Sequence, residues 1–326
     1  MRFGALAALS LSLLAARAQA EPSLWGRVID PNAQPASKAR QRAEQLFDYS
    51  RQAGEDPEAL RELSLGGAAL LELSGGVRRD PWQAVLLGRI LLDAQPGRER
   101  DAVRLLEQGL SGLPDSDFKL ESWFDLGIGA MKIGDFARAE DAFAAALALA
   151  WDPDDRARCY RNRGRARLLS GQMMAAVADY RSAVRLARDT LGSALSHLGL
   201  GVTLERSGDY PQGMLEVARS VAMRIAVPPS SSVFVLDVPG LTWVPEYDEH
   251  YFRALAAMSE AEQTDDTDTA EAAYESALVS WEQYLPAAEA QKDRFVANAK
   301  RHQKRCLEAL ERLQQAPVPR RSGRVR

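Results

Sequence analysis

Histidines, cysteines and paired glycines are the residues of this chain whose types could carry chemistry. His197, His250 and His302 lie far apart, and no two share the close spacing that puts imidazoles on one helix face around a metal. Gly127-x-Gly129 and Gly199-x-Gly201 are fragments of a nucleotide loop without its third glycine or phosphate lysine. No serine nucleophile elbow and no cysteine–histidine motif occurs. These residues assign no catalytic, cofactor-binding or metal-binding site, and the sequence reads as a non-enzyme.

Charge is the other chemical resource. Arg156 to Arg188 holds nine arginines against one acid, Asp179, whereas Glu246 to Glu275 holds ten acids against one arginine, Arg253. Arginine forks match carboxylates, so a partner segment with hydrophobic anchors and an acidic run fits the first stretch. The plainer alternative is a solvated face with ordinary i,i+4 pairing. The acidic stretch could be a solvated loop, or pair with the basic one in a neighbouring molecule. A net charge of −4 argues against nucleic acid.

What positions these residues is a repeat. Trp123, Gly127, Gly134, Phe136, Ala139, Phe143 and Ala146 return 37 residues later as Tyr160, Gly164, Gly171, Met173, Ala176, Tyr180 and Ala183. The same step forward gives His197, Gly201, Gly208, Tyr210, Gly213, Val217 and Ser220, which makes His197 a packing residue. One step back from Trp123 gives Leu86, Ile90, Gly97, Glu99, Ala102, Leu106 and Gly109. A glycine inside a helix costs about 1 kcal/mol against alanine, so its in-register repetition predicts close helix approach. The second glycine is expected to end a helix, and the following Ala–aromatic–Ala set to share one face of the returning helix. Asp152-Pro153-Asp154-Asp155 reads as a helix start with Asp152 as the cap.

Trp123-x2-Leu126-Gly127, Gly134-Asp135-Phe136, Ala139, Phe143 and Ala146, with Pro114 preceding, resemble the tetratricopeptide repeat consensus. The resemblance is strong over 118–222 and weaker over 83–117; the period is 37 where the family has 34. It implies an all-α fold of tandem helix-turn-helix units in a right-handed superhelical solenoid, whose concave groove binds peptides or protein surfaces. In the family's register the groove places are Glu121, Phe124, Ile128 and Met131 in one unit and Arg158, Arg161, Arg165 and Leu168 in the next. In such an array Cys159 and Cys306 are expected as two separate buried thiols, the alternative being a disulfide in an oxidising compartment.

Outside 83–225 the pattern changes. Residues 1–20 read as a signal peptide cleaved before Glu21, because the apolar run falls short of the ~20 residues that span a bilayer. Residues 21–37 are an extended lead-in and 38–82 a degenerate helical unit or cap. Residues 226–247 are β-rich, with Val233–Leu236 and Leu241–Val244 on either side of Pro239-Gly240, and are expected as a short hairpin or an extended loop. Phe234 and Trp243 there either pack on the helices or meet a partner. Residues 248–315 form a further helical unit and a capping helix, with Pro286 expected as the break between helices. The basic end, 316–326, is expected to be disordered. The expected role is a periplasmic adaptor or scaffold for an envelope complex such as a motility, pilus or secretion machine. The alternative is a binder of anionic envelope polymers or lipid headgroups through the arginine-rich unit and tail.

Overall fold

The computed structural model describes residues 40–46, 65–69, 71–72, 80–94, 96–223, 225–227, 231–233, 235–237 and 243–315. The expected signal peptide, lead-in and basic tail, Phe234 and the Pro239-Gly240 turn lie outside these residues. The chain forms two compact units, one up to Leu149 and one from Ala150.

In the first unit α1 (Pro81–Ala94) pairs with α2 (Glu99–Leu110), and α3 (Asp117–Lys132) with α4 (Phe136–Leu149), while α2 packs on α3. Helical residues 40–46, 65–69 and 71–72 add Ala43, Ala68 and Leu71 to a core with Leu86, Leu87 and Leu91 of α1. The second unit begins with two hairpins of the same kind: α5 (Pro153–Ser170) with α6 (Met173–Leu186), then α7 (Thr190–Arg206) with α8 (Tyr210–Ala222). This is a tetratricopeptide-like helical repeat in the register that the sequence predicts.

Both glycine series do what their spacing implies. A Cβ on Gly127 would lie 2.5 Å from the Phe143 ring, one on Gly164 3.1 Å from the Tyr180 ring, and one on Gly201 2.7 Å from Val217. Each glycine therefore admits the core residue sixteen places on, from the returning helix. The helix-ending glycines Gly97, Gly134, Gly171 and Gly208 all adopt left-handed backbone, with φ of 77° to 101°. That region is costly for a residue with a Cβ. At Gly171 the turn closes with Gln172 N donating to Arg167 O and Gly171 N to Leu168 O, a Schellman pattern. Asp152 caps α5, its Oδ1 accepting from Asp154 N at 2.8 Å.

After α8 the register ends. A short antiparallel ladder pairs β1 (Ile225–Val227) with β2 (Ser231–Val233), and Val235–Asp237 forms a 3₁₀ turn. Where a hairpin or an extended loop is expected, the described residues hold a short ladder that ends at Val233, earlier in the chain than the β-rich runs on either side of Pro239-Gly240. Successive strand residues face opposite sides, whereas Val235 and Leu236 are both buried, which the 3₁₀ turn permits. Then follow α9 (Asp248–Gln263), α10 (Thr267–Ala290) and α11 (Val296–Gln315). Pro286 does not break the chain as expected; it lies inside α10. The backbone donor that proline removes is offset by burying Tyr284, Leu285 and Ala288 on the same helix end.

The insertion reverses the chain's direction relative to the hairpins. Ser220 Oγ donates to Ala194 O at 2.9 Å, so α8 ends beside the start of α7. Asp248, at the start of α9, meets Arg206 at the far end of α7. The end of α8 and the start of α9 therefore stand at opposite ends of α7, about 25 Å apart for a helix of 17 residues. The final three helices form a bundle laid across α5 and α7, sharing one core in which Leu168, Leu198 and Val202 meet Tyr251, Trp281 and Tyr284.

Candidate functional site

The eight expected groove residues fall into three groups. Glu121, Phe124 and Ile128 on α3 are half-buried, Phe124 meeting Phe143 edge-on at 5.3 Å and Ile128 lying against the core of α1. Met131 and Leu168 are 2% and 1% exposed and are core residues, so the expectation that they face an open groove is corrected. The two positions are 37 residues apart in the repeat and point at the neighbouring element, where an apolar side chain is drawn into the core.

The arginines form the third group. Arg158 pairs with Asp155 at 3.5 Å. Arg161 reaches Gly192 O at 3.4 Å and Ser196 Oγ at 3.5 Å on α7, and burial lowers its pKa. Arg165 donates from Nε to Val244 O at 3.1 Å and from Nη2 to Asp248 at 3.4 Å, with its guanidinium 5.0 Å from the Trp243 ring centre. Arg163 and Arg167 both bind the buried Asp179, at 2.7 and 2.8 Å. The basic stretch is therefore not one cationic face. Its α5 arginines are structural fasteners, and the acid that holds Arg165 comes from the stretch read as a separate acidic region. Trp243 packs on the helices, 4.8 Å from Phe252.

The most polar place in the second unit went unnoticed in the sequence, although the register leads there: Met131 and Leu168 advance by 37 to Glu205. Arg206, whose side chain is 0% exposed, points both η nitrogens at Asp248, Nη1 at 3.3 Å. Its guanidinium is 4.1 Å from the Tyr251 ring centre and 4.2 Å from that of Phe295. Burial alone would lower its pKa, but Asp248 outweighs that and raises it. Glu205 accepts from the Tyr251 hydroxyl at 2.6 Å and from Asn298 Nδ2 at 3.2 Å, and lies 2.6 Å from His302 Nε2. Burial pushes the Glu205 carboxyl up, yet the His302 and Tyr251 hydrogen bonds carry it below the ordinary carboxylate value.

A carboxylate–imidazole–phenol set could act in proton transfer. Here His302 is 5% exposed and held between the rings of Tyr210 and Trp281, at 5.3 and 5.8 Å. Its hydrogen bond among the described residues goes to Glu205, and its Nδ1 is buried without one. A group so enclosed ties α11 to α7. A cleft of about 540 Å³ opens beside it, lined by Glu205, Arg206 and His302 together with Tyr210, Asn298 and Arg305 among others, with side chains of both signs. Among the described residues no three metal-ligating groups cluster, and no helix is long and apolar enough to cross a membrane. Cys159 and Cys306 are two buried thiols outside any disulfide, and burial pushes the Cys306 thiol up to about 12.

No family model matches the chain, and no curated protein matches it. Among solved structures it is similar to MamA, with 16% identity, 68% of this chain and 93% of that chain covered and a TM-score of 0.35. It is similar to a chain of the APC/C hetero-tetramer Cut9–Hcn1, with 14% identity, 86% and 55% covered and a TM-score of 0.45. It is also similar to a signal-transduction ATPase with a tetratricopeptide repeat sensor from Pyrococcus horikoshii, with 15% identity, 83% and 40% covered and a TM-score of 0.47. At these scores the fold assignment rests on the chain's own helix pairing and 37-residue register.

Proposed function

We propose that the chain is a non-catalytic scaffold that binds a protein partner, exported to the periplasm with its leader removed before Glu21, where it supports an envelope complex. The observation that carries the binding reading is the use of the chain's buried ionisable groups. Glu205–His302, Arg206–Asp248 and Arg163–Asp179 each join one helix to another, so their charges serve to hold the array together. What remains for function is surface displayed by a rigid repeat, as expected of a binding module. The exported location rests on the composition of residues 1–20 alone.

In the first unit the partner surface is the α3 face carrying Glu121, Phe124 and Ile128, which offers two apolar anchors beside a carboxylate. A partner segment with hydrophobic character suits it, because a half-buried aromatic gains most from completing its burial. A photo-crosslinker at position 124 in intact cells tests this, combined with N-terminal sequencing of the mature protein. The expected result is an adduct with an envelope protein and a mature chain starting at Glu21. Adducts with the protein alone, or a chain retaining residues 1–20 in the cytosol, would overturn it.

A further inference from the structure

The nine arginines of the 156–188 stretch divide between two jobs. Of those on α5, Arg161, Arg163, Arg165 and Arg167 turn toward neighbouring elements, and Arg158 pairs with Asp155 of its own helix. Arg181 and Arg185, on the outer face of α6, and Arg188, just past its end, remain exposed. Met174, Ala178, Arg181 and Arg185 follow the 4-3-4 spacing of one helix face, and Met174 is 77% exposed. None of the three arginines makes an ion pair with the described residues; Arg185 donates only to Ser182 Oγ at 2.9 Å. Arg188 N donates to Asp154 Oδ1 at 2.6 Å, which sets this ridge beside the first turn of α5. Trp151 stands one residue before the cap of that turn and is 80% exposed. The result is a cationic ridge with an exposed aromatic at one end and a methionine at the other.

Its complement lies on other helices of the same unit. Glu260, Asp265, Asp268 and Glu275 are exposed on α9, α10 and the turn between them, and none of them pairs with a cation of the described residues. Asp268, Glu271 and Glu275 fall at 3-4 spacing along α10, close to the spacing of the arginines. The two ridges do not neutralise each other within the chain, since α6 packs between α5 and α7, and α10 between α9 and α11.

We infer that the α6 ridge, with Trp151, docks onto the α9–α10 acidic ridge of a second copy of this chain. A protein surface is favoured over a flexible polyanion because arginine beside exposed tryptophan and methionine is the composition of a protein contact. The two surfaces differ, so the contact is head-to-tail, and each copy keeps one ridge open for another. Assembly then continues past the dimer unless the rotation closes a ring. This contact is separate from the α3 face, so its failure leaves the partner reading untouched.

Sedimentation velocity of the full mature chain at about 0.05 M and about 0.5 M salt tests this, because the screening length falls roughly threefold between them. The wild type is expected to associate at low salt and to dissociate at high salt. A basic-ridge variant (Arg181→Glu, Arg185→Glu, Arg188→Glu) and an acidic-ridge variant (Asp265→Lys, Asp268→Lys, Glu275→Lys) are each expected to stay monomeric while keeping the wild-type helical signal. An equimolar mixture of the two regains association, since every basic surface again meets an acidic one. A monomeric wild type, a variant that associates alone as the wild type does, or a mixture that stays monomeric would overturn the proposal. So would a wild type that stays monomeric yet binds polyphosphate, which would assign the ridge to a polyanion.

Discussion

The hairpins α5–α8 and the terminal bundle α9–α11 share one core but are joined by different physics. Within the hairpins a repeated seam is a matter of shape: a glycine in one helix admits Tyr180 or Val217 from the next, at the same sequence distance as Gly127 and Phe143 in the first unit, with the Arg163–Asp179 pair added between α5 and α6. Between hairpins and bundle the join is charge and hydrogen bonding in a closed interior, with Arg206–Asp248 and Glu205–His302 at its centre. A shape seam degrades gradually as atoms are added or removed. A buried ion pair is asymmetric, because losing one partner strands the other in a low-dielectric interior.

That contrast sets the order of expected effects. Asp248→Ala leaves both Arg206 and Arg165 without their carboxylate, and should cost about 3–5 kcal/mol in urea unfolding. Replacing the pair together, Arg206→Met with Asp248→Leu, should recover most of that loss; a double variant as unstable as the single one would show that the arrangement is more than a charge lock. Gly127→Ala forces a Cβ against Phe143 and should cost about 1–3 kcal/mol, less the ~1 kcal/mol of helix propensity gained. Phe143→Leu in the same chain should reduce the penalty, and an absence of coupling between the two would break the shape account.

Glu205 gives a pH test of the closure alone. Its folded pKa lies below the ordinary 4.5, so its contribution is complete above that value and is lost as pH falls through the folded one. Stability of the wild type should therefore drop more steeply below pH 4.5 than that of Glu205→Gln; parallel acid limbs would remove Glu205 from the closure. The smallest effect belongs to Lys300–Glu289, a 2.7 Å pair between two half-exposed or exposed side chains. Lys300→Ala should change stability by less than about 0.5 kcal/mol, measured in the same titration.

The seams were legible in the sequence and the closure was not. Gly127, Gly164 and Gly201, and the left-handed series Gly97, Gly134, Gly171 and Gly208, repeat because each unit solves one local packing problem in the same way. Asp248 meets Arg165 across 83 residues and His302 meets Glu205 across 97, distances at which no periodicity connects them. The arginine-rich stretch misled for the same reason: its composition was plain, but the carboxylates that turn Arg163, Arg165 and Arg167 inward come from other helices. Pro286 and Val235–Leu236 were misjudged where burial outweighed local preference.

The fastening of α9 and α11 back onto α7 also decides how the second unit comes apart. Repeat arrays whose units touch only their neighbours can fray from a free end, one hairpin at a time. Here α11 is fastened to α7 and the start of α9 to both α5 and α7. Peeling off the last helix uncovers buried groups four helices upstream. Amides from α5 to α11 should accordingly exchange with solvent at one shared rate, as a single cooperative block, in place of the graded protection of an open-ended stack.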